Sequence, residues 1–213
     1  MMRNIPYLLV LVVMGLVLSN CKKAVEDIDQ TAALKNVIIT YDSMAYQLDL
    51  PAGISSGKSF QQLRTEDSLT YTNPENYSVT ILANMHADNN KADARDAKFD
   101  GMTVNVVMST HASSPIETVA SPFTVLKNTS MPVVASDKIN LKTHKPAMLY
   151  MFKQMVDGND MATTLSTVLN YKIGTIAGSI AVVPELHKNI PTRANQQTKD
   201  FLKGLLDSGV FSQ

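Results

Sequence analysis

The chain opens on an unbroken apolar run, Ile5 to Leu18 (IPYLLVLVVMGLVL), behind a single positive charge at Arg3. At about fourteen residues it has the length of the hydrophobic region of an export signal. It is short of the roughly 20 residues that a membrane-spanning helix needs, and it contains Pro6 and Gly15. Residues 21–33, which include KKAVEDIDQTAA, are polar with little periodicity and read as a tether. From Leu34 the rhythm becomes that of β-structure. Lys35 to Tyr41 (KNVIITY) and Ala45 to Leu50 (AYQLDL) are short, β-branched or aromatic segments. The stretch Pro51 to Asp67 (PAGISSGKSFQQLRTED) reads as a Gly/Ser-containing loop.

After Asn73-Pro74, Ser78 to Ala87 alternates, with Val79, Ile81, Ala83 and Met85 on one face and Thr80, Asn84 and His86 on the other. Leu82 is the one mismatch to this half-buried strand. Asp88 to Asp96 is an Asx-rich loop, and Asp100-Gly101 carries the composition of a hairpin turn ahead of Met102, Val104, Val106 and Met108. Further strands are expected at Phe123 to Leu126, Val133 to Ala135, Lys138 to Lys142, Val168 to Ile173 and Thr175 to Val183, with Gly174 at the last joint. Two segments have helical spacing instead. In Pro146 to Val156, Met148, Leu149, Phe152, Met155 and Val156 form a stripe that Gly158 terminates, and in Gln196 to Leu206 the stripe is Phe201, Leu202, Leu205 and Leu206. The pattern predicts a mainly β chain, an antiparallel β-sandwich over residues 34–195 with one or two accessory helices, the last of them in 196–213. Such a Met-rich stripe is either the buried face of a helix on a sheet or an adaptable binding surface, so Met148, Phe152 and Met155 are candidate ligand-facing residues.

Leu18-Ser19-Asn20-Cys21 resembles the lipobox of bacterial lipoproteins, although Gly, Ala or Ser is more usual than Asn before the cysteine. The resemblance implies a signal peptide of residues 1–20, cleavage between Asn20 and Cys21, and a lipid on the Cys21 sulfur. Cys21 is the only cysteine, so no internal disulfide competes for it. Two acyl chains, at about 0.8 kcal/mol per buried methylene, suffice for stable anchoring where one chain is marginal. The expected protein is therefore held to the bacterial envelope by its N-terminus, with the outer membrane as the expected site. Lys and Arg number 19, as do Asp and Glu, and this balance supplies no basic field for nucleic acid.

Residues 78–192 resemble the type 2 late embryogenesis abundant (desiccation-related, water-stress) domain. The matching places are the turn Ala87-Asp88-Asn89-Asn90, then Lys98-Phe99-Asp100-Gly101-Met102-Thr103-Val104, Asp137 to Leu141, the helix from Pro146, and Tyr171 to Gly174 through Gly178 to Val182. The resemblance implies a sandwich of seven strands or so, without catalytic residues, that acts by binding or protection.

Catalytic and metal signatures add little. Gly53-Ile54-Ser55-Ser56-Gly57 matches the GxSxG text, but a nucleophile elbow requires a buried strand before it and a helix after it. His86, His111, His144 and His187 are each more than twenty residues apart, outside any zinc spacing. Asp88, Asn90, Asp93 and Asp96 offer oxygens for calcium, but Ala92 and Ala94 break the EF-hand pattern. Neither a Walker loop nor a Rossmann fingerprint occurs, and no cofactor is expected. Asp42-Ser43-Met44 and Asp67-Ser68-Leu69 resemble the O-glycosylation acceptor of some Gram-negative bacteria, which makes Ser43 and Ser68 candidate sites. Three functions follow as expectations. The first is a non-enzymatic lipoprotein that binds a protein partner or an apolar ligand. The second is an assembly or surface-fibre subunit with a free sheet edge. The third is a hydrolase built on Ser55.

Overall fold

The computed structural model describes residues 29–91, 94–108, 116–173 and 176–211, with the backbone alone at 55 and 183–185. The expected signal peptide, Asn20, Cys21, the first part of the tether, Asp93, His111 and Gly174 lie outside the described residues.

The fold is mainly β, as the alternation predicts. Seven antiparallel strands form one curled sheet: β1 (Ile38–Asp49), β2 (Ser78–Asp88), β4 (Gly101–Met108), β5 (Ile116–Ala120), β7 (Ser130–Asn140), β8 (Met161–Ile173) and β9 (Ile176–Ile190), in the order β1-β2-β7-β5-β4-β8-β9. β3 (Ala97–Phe99) and β6 (Phe123–Val125) pair separately as a small second sheet. The curl brings the two edge strands of the large sheet together, with the Lys188 ammonium of β9 5.9 Å from the centre of the Tyr41 ring of β1. The inner faces of β2 and β4 alternate as expected. Val79, Ile81, Ala83, Met85, Met102, Val104, Val106 and Met108 are all buried in one core, and Leu82 faces outward, half-covered.

Helices exceed the one or two expected. Residues 29–36 form α1, so the tether predicted through residue 33 already folds from 29, with Ala33 and Leu34 in the core. The Pro51 to Asp67 segment is not a plain loop. It holds a 3-10 turn (Ile54–Ser56) and α2 (Phe60–Glu66), and α3 (Ser68–Thr72) follows at once. Ser59 and Gln62 cap α2 reciprocally, which satisfies two otherwise orphan donors, while Phe60 and Leu63 are buried. α4 (Lys145–Asp157) and α5 (Gln196–Asp207) fall where the helical stripes place them.

Asp100-Gly101 makes no hairpin. β3 pairs with β6 and β4 with β5 and β8, so Gly101 is the point at which the chain leaves one sheet for the other. Its φ is +150°, and a Cβ added there would stand 2.8 Å from the Ala120 carbonyl oxygen. That contact is to backbone, which cannot rotate away, and the conformation itself suits glycine. Gly101→Ala is expected to cost about 1–3 kcal/mol through overpacking and backbone strain. A urea midpoint equal to that of the wild type would show that the strand junction yields.

Register fixes what lies at each end of the sheet. Ile38 stands opposite Asp88, and Asp88 opposite Ser130. Carrying the levels across through Val119 with Ser136, Met102 with Ala120 and Gly101 with Asn170 puts the β8–β9 hairpin, Ile173 opposite Ile176, at this same end. α1 and the β3/β6 pair are there too. Arg95 binds Asp29 at 2.7 Å, and the buried Asn89 donates to the carbonyls of Arg95 and Val125. Asp49, Asn140 and Ile190 mark the opposite end, which α2 to α5 cap.

Candidate functional site

At the capped end, α4 presents two apolar strips to different neighbours. Pro146 sits in its first turn, where a missing N–H costs nothing, and Gly158 ends it in the left-handed region at φ 72°. Ala147, Met148, Met151, Phe152 and Met155 point into the core. Met148 and Phe152 are 0% exposed and Met155 2%, so the candidate ligand-facing residues are core residues that no ligand reaches in this conformation. The binding reading of the Met stripe gives way to the packing reading.

The rest of the stripe borders solvent. Leu149, Tyr150 and Val156 are half-buried and face Leu206 of α5, which is held alongside by the burial of Phe201, Leu202 and Leu205. Between the helices runs a groove of about 620 Å³, lined by Pro146, Leu149, Tyr150, Val156 and Leu206. Its rim carries Lys153, Gln154, Asp157, Lys203 and Asp207. An apolar floor with a rim of both charge signs suits one side of an amphipathic segment. The helical spacing of α4 marks Leu149 and Val156 as apolar, but only the position of α5 shows which of the stripe stays open.

A second hollow at this end, of about 540 Å³, is polar. In it Asp49 accepts hydrogen bonds from Lys138 at 2.7 Å and Ser78 at 3.3 Å. The Lys138 ammonium holds the Asp49 carboxyl below its ordinary range. Beside it Lys142 donates to Glu75 at 2.6 Å, which raises the lysine above its usual value. The charges around this hollow pair with one another.

The remaining candidates are scattered. Ser55 lies in the 3-10 turn between Gly53 and Gly57, both left-handed. His86 pairs with Asp42 at a bulge between β1 and β2, His144 precedes α4 beside Thr143, and His187 meets Thr164 across β8 and β9. Among the described residues no three His, Cys, Asp or Glu side chains are grouped to hold a metal ion. Asp96 accepts the backbone N–H of Lys127. Ser43 and Ser68 are both exposed, and the Ser43 hydroxyl accepts a hydrogen bond from Asn84 at 3.1 Å. The free edge that strand addition requires is narrowed, because β1 and β9 lie against each other. Burial raises the phenols of Tyr41 and Tyr46 along that seam.

No family model and no curated protein matches the chain. Solved structures give distant likenesses. A protein from Archaeoglobus fulgidus is 11% identical, with a TM-score of 0.38 over 70% of this chain and 97% of that one. A late embryogenesis abundant protein determined in solution is 15% identical, with a TM-score of 0.36 over 90% of this chain and 91% of that one. The β-glucosidase 3B of Thermotoga neapolitana gives 0.26 over 17% of its own length. A late embryogenesis abundant protein is thus among the structural neighbours, at a level of likeness that carries no functional argument.

Proposed function

We propose that this chain is a non-enzymatic lipoprotein of the bacterial cell envelope, anchored through Cys21, which takes one side of an amphipathic segment of a protein partner in the α4–α5 groove. The observation that carries this reading is the placement of the tether and the groove at opposite ends of the sheet. Only seven residues, 22–28, separate Cys21 from Asp29, the first described residue of α1, and these eight steps reach at most about 28 Å at 3.3–3.6 Å per residue. β7, with its 11 residues, spans about 36 Å. A tether that short cannot let the domain invert onto its capped end, which leaves the groove at that end accessible to a partner. The kinship of residues 78–192 with the type 2 late embryogenesis abundant domain belongs to the same reading, as a module that binds and does no chemistry.

A photo-crosslinking residue at Tyr150 is expected to give one adduct of discrete mass in intact envelopes, and Leu206→Asp to abolish it by placing a charge on the groove floor. The same adduct from a crosslinker at Leu69, an exposed position of α3 outside the groove, would overturn the assignment.

A further inference from the structure

The end of the domain that carries the tether sets exposed lysines among exposed aliphatic side chains. At the capped end Lys58, Lys138 and Lys142 each bind a carboxylate at 2.6–2.7 Å, while Lys153 and Lys203 on the groove rim make no ion pair among the described residues. At the tether end Lys35, Lys91, Lys98, Lys127 and Lys172 are exposed, and none makes an ion pair among the described residues. Among the described residues the acidic groups there are Asp29, which Arg95 already engages, and Asp88, Asp96 and Asp100. Apolar side chains stand among them in water. Ile176 at the β8–β9 hairpin is 72% exposed, Ile38 at the start of β1 56%, and Leu126 after β6 53%. Large aliphatic side chains beside unpaired lysines are what a surface meeting both headgroups and the acyl boundary requires.

We propose that this end lies on the bilayer itself, with Ile176 entering the interface and the five lysines against anionic headgroups. The occupant is a lipid surface because of where the chain leaves the fold. The seven-residue link from Cys21 joins the fold at this end, which keeps it within about 28 Å of the headgroups, and the positive charge complements an anionic leaflet. The proposal rests on the lipoprotein reading, and adds that the domain is oriented by direct contact, where a tether alone would leave it free to tumble.

The chain contains no tryptophan, so a single introduced one reports its own surroundings. The full acylated protein carrying either Ile176→Trp or Leu69→Trp is reconstituted into vesicles of phosphatidylethanolamine and phosphatidylglycerol with brominated acyl chains. The expected result is that Ile176→Trp loses most of its emission while Leu69→Trp, at the capped end, keeps it. Adding Lys127→Glu and Lys172→Glu, both at exposed positions, is expected to restore the Ile176→Trp emission. Protein that floats with the vesicles but shows equal emission at the two positions overturns the contact and leaves the anchor standing. Protein that does not float overturns the anchor, and the contact with it.

Discussion

Truncating Phe201 to alanine is expected to remove about 3–5 kcal/mol of stability, the largest loss foreseen for any single side chain here. Phe201 is 2% exposed and projects from α5 into a ring of aromatics. It meets Phe60 of α2 edge-on, with centroids 5.6 Å apart and planes at 77°, and Tyr71 of α3 at 6.3 Å. It also stacks on Tyr77, just before β2, at 6.5 Å and 21°. Tyr77 is fully buried. Its hydroxyl donates to the Tyr71 carbonyl at 2.9 Å, and burial lifts its phenol far above the ordinary value. Edge-on and stacked ring pairs add about 0.5–1.5 kcal/mol each beyond the area they bury. The cavity would not close easily, because Gly204 already brings α5 so near that a Cβ there would stand 3.0 Å from Phe60 Cβ. Since a domain of this size is stable by about 5–15 kcal/mol, the loss would lower the urea midpoint at constant slope. A smaller slope would mean that α5 undocks while the sheet stays folded, and an unchanged midpoint would mean that α5 does not hold the cap together.

That cluster also explains why the cap was hard to read. β2 was legible because one face is buried and the other is not, which writes period two directly into Val79, Ile81, Ala83 and Met85. α2 has only seven residues, too few to be stable alone. It persists because Phe60 packs against Phe201 of α5, far away in sequence, and Leu63 is buried in the same core. The local signs were present, since Ser59 and Gln62 spell a capping box, but Gly53 and Gly57 made the segment look like a loop. Asp100-Gly101 misled for the opposite reason. The dipeptide marks a sharp change of direction correctly, yet nothing local tells whether the next strand joins the same sheet. β5 carries little signal in the sequence although Ile116, Thr118 and Ala120 are buried between exposed Glu117 and Val119, because five residues with Thr on the inner face give a weak alternation. In the groove the limit was of the same kind. Helical spacing fixes the width of the apolar stripe on α4, but whether Met148 or Leu149 meets solvent depends on where α5 comes to rest.

The second large effect concerns the anchor. Wild-type protein is expected to begin at Cys21 and to carry acyl mass on it, and to stay with membranes in high salt. Cys21→Ala alone is expected to lose the acyl mass and still sediment with membranes, since the uncut leader keeps its apolar run of about fourteen residues. The informative variant combines Leu18→Ala, Asn20→Ala and Cys21→Ala. It replaces the lipobox by Ala-Ser-Ala, the small-x-small pattern that an ordinary signal peptidase cuts, so the same domain is exported with neither lipid nor leader. One acyl chain gives an association constant of only about 10⁴ M⁻¹ and two give stable anchoring, so removing all of them is expected to move the protein from the membrane to the soluble fraction. Contact through Ile176 and the lysines of the tether end would leave a weak residual hold. High salt weakens the lysine part of that hold, because the Debye length falls to about 3 Å at 1 M, but leaves acyl burial in place. Release of the triple variant in salt, with the wild type retained, separates the two attachments. Retention of both after the salt wash would place the hold in the folded domain and not on the Cys21 sulfur.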